Sequence, residues 1–292
     1  MENKFFEKLC DETQKPFAVE LDSPEGPDAE KFMAGAGELG EKGVDLITVA
    51  DCPVARPRMD SSLMACKIKR ELGMDAMPHM TCRDRNVNAS QALLLGLYAE
   101  GVRNLLLVMG DPVPPEQRER VKSVFNFNSV GFVDYVRRLE GELLPEPVKI
   151  FTALNVNAAN FSFELERAKK KEAAGADGFF TQPVLTEKAL ENLKLARAAL
   201  SGKIAGGIIP MVSHRNAVFM DQNIPGIRVD RRIIELYEDA DKAKGEDLAE
   251  TISAAVAREI SPYIDGYYLM TPFGRTGLMG RIMDRIRREG LA

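Results

Sequence analysis

The chain has 292 residues, of which 45% are apolar and 28% charged, a composition typical of a globular protein with a large core. Its net charge of −5 gives no electrostatic basis for binding nucleic acid or an anionic membrane, so neither is expected as a partner. No stretch approaches the roughly 18 apolar residues of a membrane span, and the first residues lack the apolar centre of a signal peptide. We therefore expect a cytoplasmic protein.

Metal-binding and disulfide patterns are absent from the sequence. The cysteines lie far apart without a C-x-x-C pair, and a chain of this length does not need disulfides, so all are expected to be free thiols. They are Cys10, Cys52, Cys66 and Cys82. With only two histidines, His79 and His214, a histidine-rich catalytic metal site is not expected either.

Eight short apolar segments, punctuated by glycine and proline, predict β-strands. They span residues 17–21, 44–51, 76–81, 102–110, 148–155, 176–182, 203–210 and 264–271. A short helix is expected before the first strand, and helices are expected in 28–43, 61–72, 88–101, 129–141, 161–174, 186–200, from 213 onward, in 246–263 and in 277–290. Residues 230–243 predict an extra helix between the seventh and eighth strands.

This alternation of strand and helix, at a spacing of about 30 residues, predicts an α/β fold. The specific expectation is a (β/α)8 TIM barrel forming a single domain over residues 1–292. An open doubly wound sheet is the competing architecture. It ranks second because no G-x-G-x-x-G follows the first strand and no P-loop is present.

The fourth strand is followed directly by a carboxylate. In the segment "NLLLVMGDP", four apolar residues lead to Gly110, and Asp111 stands before a proline that cannot extend a central strand. The carboxyl ends of barrel strands surround the ligand site, so residues at the other strand ends are candidates for the same site. Most of them supply polar residues, and the fourth also places Gly110 there: Glu20, Thr48, Asp51, His79, Thr81, Asp111, Asn155, Asn157, Thr181, Gln182, Thr271 and Arg275.

Each of these residues also has an ordinary structural interpretation, such as an ion pair for Glu20 or a buried imidazole for His79. Their recurrence at nearly every strand end favours a functional site. Glu20 follows "FAV" in an apolar strand, where desolvation should raise its pKa, and it is the better candidate for a proton donor. Asp111 lies in a Gly-Pro turn and is expected to stay ionised and stabilise positive charge.

A charged helix follows the fifth strand. Glu164, Arg167, Lys170 and Lys171 recur at i, i+3, i+6 and i+7, which places them largely along one face. Such a face is suited to the hydroxyls and phosphates of a nucleotide cofactor. The alternative is an ordinary amphipathic helix with a solvated charged face.

Five ordered motifs resemble those of bacterial methylenetetrahydrofolate reductases. They are "FAVELDSP", "PHMTCRD", "LLLVMGDP", "AGADGFFTQPV" and "YYLMTPFGRTGL", and the resemblance extends over about residues 16–283. The segment 51–86 resembles in particular the reductase half of fused homocysteine methyltransferase/reductase proteins.

The resemblance implies a TIM barrel that carries FAD and reduces 5,10-methylenetetrahydrofolate to 5-methyltetrahydrofolate with NADH or NADPH. In this two-stage relay, nicotinamide reduces the flavin and leaves, and the reduced flavin passes hydride to the folate bound on the same face. Such a protein serves one-carbon metabolism and methionine biosynthesis. A homo-oligomer or a complex with a second subunit is expected.

The resemblance also implies roles for individual residues. Glu20 matches the general acid and Asp111 the aspartate beside flavin and pterin. Thr48, His79, Val108, Met109 and Gly110 match flavin-contacting positions, to which the Asn155 loop adds cofactor contacts; Glu164, Arg167, Lys170 and Lys171 match the helix that holds the rest of FAD. Gln182, Phe219 and Arg275 match folate-side positions.

The chain departs from the family pattern at two places. Met109 stands where the pattern has an arginine, and the loop after the fifth strand reads "LNVNAANF" rather than being rich in tyrosine, proline and histidine. Two alternatives therefore remain open. One is a pterin-binding barrel that transfers a methyl group, and the other is a non-catalytic or partner-dependent barrel that docks another protein.

Overall fold

The computed structural model describes residues 3–271 and 274–292. Pro272 and Phe273, which belong to the last of the five motifs, lie outside the described residues. The strands are β1 (Phe17–Asp22), β2 (Leu46–Ala50), β3 (Ala76–Thr81), β4 (Asn104–Val108), β5 (Lys149–Leu154), β6 (Gly178–Pro183), β7 (Lys203–Ile208) and β8 (Gly266–Met270). The helices are α1 (Lys4–Cys10), α2 (Glu30–Glu41), α3 (Ser61–Leu72), α4 (Val87–Ala99), α5 (Ser129–Leu139), α6 (Phe161–Ala173), α7 (Glu187–Ala199), α8 (His214–Asn223), α9 (Arg231–Glu235), α10 (Lys242–Ile260) and α11 (Thr276–Arg288).

The eight strands form one closed parallel barrel in sequence order, with β8 paired to β1. This confirms the predicted (β/α)8 fold. All five residues of β2 are buried and all except Thr48 are apolar, because the barrel interior covers one face of the strand and the helices cover the other. The arrangement brings all eight strand ends, and the loops that follow them, to one rim.

Local signals in the sequence account for α3. The side chain of Asp60 accepts hydrogen bonds from the N–H groups of Ser62 and Leu63, which satisfies free donors at the helix start. Gly73 ends the helix with a φ of 66°, a left-handed conformation that glycine adopts without steric cost. The observed bounds are those predicted.

The extra helix between β7 and β8 is shorter than predicted. A helix was expected over residues 230–243, but α9 covers only Arg231–Glu235. The physical reason is Asp241, whose side chain accepts from the N–H of Lys244 and so starts α10 at Lys242. The predicted segment is therefore divided between two helices.

The amino-terminal end of the barrel is covered by α1. Phe5 is fully buried, and its ring centroid lies 6.1 Å from that of Phe151 and 6.3 Å from that of Phe180. Its backbone N–H donates to Asp75, directly before β3. Neither α1 nor any other helix within the described ranges has the length and apolar character needed to cross a lipid bilayer.

Candidate active site

A cavity of about 1570 Å³ opens at the carboxyl end of the barrel. Nine of the predicted site residues line it: Glu20, His79, Val108, Met109, Gly110, Asp111, Arg167, Gln182 and Phe219. Six others lie outside its lining: Thr48, Asn155, Glu164, Lys170, Lys171 and Arg275. The site that the strand ends predicted is thus a single cavity, while several of the cofactor assignments fall beside it.

Glu20 belongs to a hydrogen-bonded group that crosses four neighbouring strands. The hydroxyl of Tyr268 on β8 donates to Oε2 of Glu20 on β1. Nε2 of His79 on β3 lies 3.5 Å from the same carboxylate oxygen and 3.3 Å from Oγ1 of Thr48 on β2. Thr48 is fully buried and contacts this group without lining the cavity.

Burial sets the protonation states in this group. Desolvation raises the pKa of Glu20, nearby Asp111 raises it further, and the hydrogen bond from Tyr268 acts in the opposite direction. Burial lowers the pKa of His79 to about 4, so its imidazole is neutral at pH 7 and its contact with Glu20 is not an ion pair. The Tyr268 phenol has a pKa well above 10 because it is buried beside Glu20, and it remains a donor.

Asp111 is held from two sides at the end of β4. Oδ2 of its carboxylate accepts the backbone N–H of Val54 at 2.7 Å. Its carbonyl oxygen accepts Nη1 of Arg83 at 3.0 Å, and Arg83 is only 2% exposed. Gly110 has a φ of 84°, and a Cβ at this position would lie 3.0 Å from Cβ of Thr81, so only glycine fits the turn that presents Asp111.

The loop after β2 is strained where it meets Asp111. Cys52, Val54 and Ala55 have φ values of 47°, 50° and 56°, a region that residues with a Cβ rarely adopt. Val54 is β-branched, for which such a conformation is a genuine outlier. Backbone strain of this kind persists when surrounding contacts hold it in place, and the hydrogen bond to Asp111 is one such contact.

The charged helix α6 divides its side chains between two environments. Lys171 is 3% exposed and donates from Nζ to the carbonyl of Ala153 at 2.7 Å, and burial lowers its pKa to about 8. Glu164 is also buried and accepts the N–H of Asn155 at 3.0 Å. Both side chains therefore connect α6 to β5 or to the residue after it, and their hydrogen bonds are made to backbone groups of the barrel.

Arg167 is the residue of α6 that lines the cavity. One of its terminal nitrogens forms an ion pair with Glu164, while its buried Nε has no hydrogen-bond partner among the described residues. Lys170 is exposed and lies outside the lining. The predicted cofactor role of α6 therefore rests on Arg167.

The folate-side residues are also separated. Gln182 on β6 and Phe219 on α8 line the cavity, and Phe219 is 50% exposed. Arg275 instead donates to Glu246 at 3.0 Å. Asn155, which was assigned to the cofactor instead, accepts the N–H of Asn157 through Oδ1 within the loop after β5. The roles assigned to these residues stay predictions.

Sequence reasoning missed Tyr268, Val54 and Arg83. Arg83 lies within the quoted motif "PHMTCRD", so its position was available, but its contact with the Asp111 carbonyl depends on the fold. Tyr268 could have been found from the closure of the barrel, because β8 must pair with β1. No metal-binding group of three or more His, Cys, Asp or Glu side chains occurs within residues 3–271 and 274–292, and the four cysteines are free.

Fold and site together define a (β/α)8 barrel in which two carboxylates, Glu20 and Asp111, line one cavity at the carboxyl rim. Residues 5–285 match the sequence model of the methylenetetrahydrofolate reductase family. The chain belongs to this family, as the five motifs predicted.

A curated relative is the probable methylenetetrahydrofolate reductase (NADPH) of Caenorhabditis elegans. It is 23% identical over 218 residues, which are 72% of this chain and 32% of the relative. The chain therefore spans about a third of the length of that protein.

Two solved structures share the fold at low sequence identity. An uncharacterized Clostridium thermocellum protein that binds two copies of 5-methyl-5,6,7,8-tetrahydrofolic acid superposes with a TM-score of 0.69 at 12% identity, covering 99% of this chain and 100% of the other. A riboflavin lyase with modified FMN and riboflavin gives a TM-score of 0.60 at 12% identity, covering 96% and 92%. At these identities the likeness shows the barrel architecture alone.

Proposed function

We propose that this protein reduces 5,10-methylenetetrahydrofolate to 5-methyltetrahydrofolate, using a bound flavin and a nicotinamide electron donor. Family membership supports this reaction class. The observation that carries the proposal is the placement of Glu20 and Asp111 in one cavity with different surroundings. Glu20 is in a setting that favours the protonated form, whereas Asp111 accepts a backbone N–H in a polar turn.

The two carboxylates divide the chemistry of the substrate. Glu20 donates its proton to a nitrogen of the five-membered ring, and the adjacent carbon–nitrogen bond opens with its electron pair leaving to that nitrogen. The methylene carbon becomes part of a cationic iminium, which the ionised Asp111 stabilises. A bound flavin supplies the hydride, which no side chain of the protein can supply.

The residues present fit FAD, with fewer contacts than the family pattern implies. The buried Nε of Arg167, on a residue of the cavity wall, is a donor without a partner in residues 3–271 and 274–292, as expected for a group that binds a cofactor phosphate. The same cavity is lined by Val108, Met109 and Gly110, which would contact the flavin ring system. His79 on the neighbouring strand β3 would contact it as well. Lys171 would support the helix rather than touch the cofactor.

Absorption spectroscopy and separate half-reactions test the proposal. Purified protein, reconstituted with FAD where needed, should show a flavin spectrum, accept electrons from NADH or NADPH and pass them to methylenetetrahydrofolate. Glu20→Gln keeps the shape of the side chain but cannot donate the proton, so folate reduction should fall by at least about 10²-fold while flavin reduction survives. Glu116→Gln, the same change at an exposed lining position, is the control.

Other outcomes would point to the alternatives. A corrinoid-dependent methyl transfer to or from folate, without flavin reduction, would support the pterin-binding methyltransferase. A protein that binds neither flavin nor folate but forms a stable complex with a second subunit would support the docking role. Equal loss of both half-reactions in Glu20→Gln would show that the role of Glu20 is wrong.

A further inference from the structure

Tyr268 reaches Glu20 from one layer below it in the barrel. In the pairing of β1 with β8, Tyr268 lies opposite Ala18, while Glu20 lies opposite Met270. Ala18 and Glu20 are two residues apart and point to the same side of the strand. From this layer the hydroxyl of Tyr268 donates to the carboxyl group of Glu20.

Aromatic packing fixes the direction of the ring. The Tyr268 centroid lies 4.9 Å from that of Phe180, with 72° between the ring planes. Phe180 in turn packs edge-on against Phe151 at 5.2 Å. Such contacts hold a ring in one orientation, so the hydroxyl is presented to Glu20 by packing that does not depend on the hydrogen bond itself.

We propose that Tyr268 is a positioning residue for Glu20: its hydroxyl holds the carboxyl group toward the cavity and stabilises the ionised form that remains after the proton has left. The inference rests on the proposed function, in which Glu20 is the acid. Tyr268 keeps its own proton throughout and donates only a hydrogen bond. Glu20 alone gives a proton to the substrate.

The surroundings of Glu20 show why such a donor is needed. The other ionisable groups facing it are Asp22 on the same strand, His79 on β3 and Asp111 after β4. The two carboxylates disfavour a further negative charge, and the imidazole is neutral at pH 7. Without a hydrogen-bond donor that stabilises its ionised form, Glu20 would hold its proton too tightly to be an efficient acid near neutral pH.

Infrared titration of the Glu20 carboxyl group tests the inference without any catalytic turnover. Glu20 is identified by a carboxylic acid band that changes with pH in the wild type. The same band is missing in Glu20→Gln. In Tyr268→Phe the apparent pKa from this band should rise by about one to two pH units, because a hydrogen bond to the charged form is lost. The packing of the ring on Phe180 is retained in this variant.

Tyr267→Phe is the matched control. Tyr267 is the preceding residue on β8 and is also buried, but its hydroxyl donates to the carbonyl of Leu291 at 2.9 Å rather than to Glu20. This variant loses a buried hydrogen bond yet should leave the Glu20 titration unchanged. A titration that is unmoved in Tyr268→Phe, or moved as far in Tyr267→Phe, would overturn the inference.

A second substitution covers the case in which Tyr268→Phe does not fold. Site-specific incorporation of 3-fluorotyrosine at position 268 keeps the hydroxyl and makes it a stronger donor, so the Glu20 pKa should fall. A fall supports the inference and an unchanged value contradicts it. Retention of folate reduction by Glu20→Gln would refute the proposed role of Glu20 separately, while the infrared titration would still decide whether Tyr268 tunes the carboxyl group.

Discussion

The backbone N–H of Val54 donates to Oδ2 of Asp111 across 2.7 Å, which joins the loop after β2 to the carboxylate after β4. The loop conformation at Val54 is strained, with a φ of 50°. In the proposed reaction Asp111 therefore has two tasks in the same cavity: its charge stabilises the iminium, and its carboxylate oxygen holds a neighbouring loop. Substitutions can separate them.

Asp111→Asn should remove the charge and keep the tether, because the amide oxygen of asparagine can still accept from Val54. Folate reduction should slow by roughly 10²-fold to 10³-fold through lost stabilisation of the cationic iminium. Asp111→Ala removes charge and tether together, so amide hydrogen exchange in residues 52–55 should accelerate in this variant alone. Stopped-flow kinetics and exchange mass spectrometry measure the two effects. Equal exchange rates in both variants would show that the carboxylate does not hold the loop.

Arg167→Ala should weaken flavin binding more than Lys170→Ala. Arg167 lines the cavity and its buried Nε has no partner in the part of the chain that the structure describes, whereas Lys170 is exposed and outside the lining. A lost charge-assisted contact to a phosphate corresponds to about 1.5–3 kcal/mol, or roughly 10-fold to 100-fold in Kd for FAD. Fluorescence titration of the apoprotein with FAD measures this Kd, and Lys170→Ala is the control on the same helix. Equal Kd values would remove α6 from the cofactor site.

Gly110→Ala should destabilise the fold more than Gly73→Ala. Both glycines have positive φ, 84° and 66°, so each substitution costs about 1–2 kcal/mol from the backbone alone. A Cβ at position 73 would meet no atom of the described residues within 4 Å, whereas one at position 110 would lie 3.0–3.1 Å from Thr81 and Arg83. Urea unfolding should therefore give a larger loss for Gly110→Ala. Equal losses would indicate that Thr81 and Arg83 move aside freely.

The strands and their polar ends were predictable because each signal is local. An apolar run closed by glycine or proline is visible in the sequence, and the barrel rule then places Glu20 and Asp111 at one rim. The partners of those side chains depend on which strands are neighbours. Tyr268 lies 248 residues from Glu20 along the chain, and only the closure of the barrel brings them together.

The spacing of the charged residues in α6 did not decide which of them are buried. The buried residues of α6 are Phe161, Glu164, Ala168 and Lys171, which recur at the spacing of one helix face. Two charged residues lie on that face because each finds a backbone partner on or next to β5. The charges of Glu164 and Lys171 suggested that both side chains are exposed. No pattern in the sequence reveals the backbone groups whose hydrogen bonds make their burial possible.

Lys171 should make the stability of the protein rise with pH in an alkaline window. Its pKa is about 8 in the folded protein and near 10.5 when exposed, so between these values the unfolded chain binds more protons than the folded protein. The free energy of unfolding should therefore gain ~3 kcal/mol from this group between pH 8 and 10.5. Lys171→Met should lack that rise in urea unfolding, and Lys170→Met should keep it. A wild-type profile parallel to that of Lys171→Met would contradict the lowered pKa.

The helix that covers the amino-terminal end of the barrel has a consequence for the order of events. Phe5 packs on Phe151 and Phe180 below the Tyr268 ring, so the region of Glu20 is closed from beneath. A molecule seated above Glu20 and Asp111 has to depart through the rim by which it arrived. Two reactants that bind to the same wall of the cavity must then bind one after the other. The second can bind only after the first has dissociated.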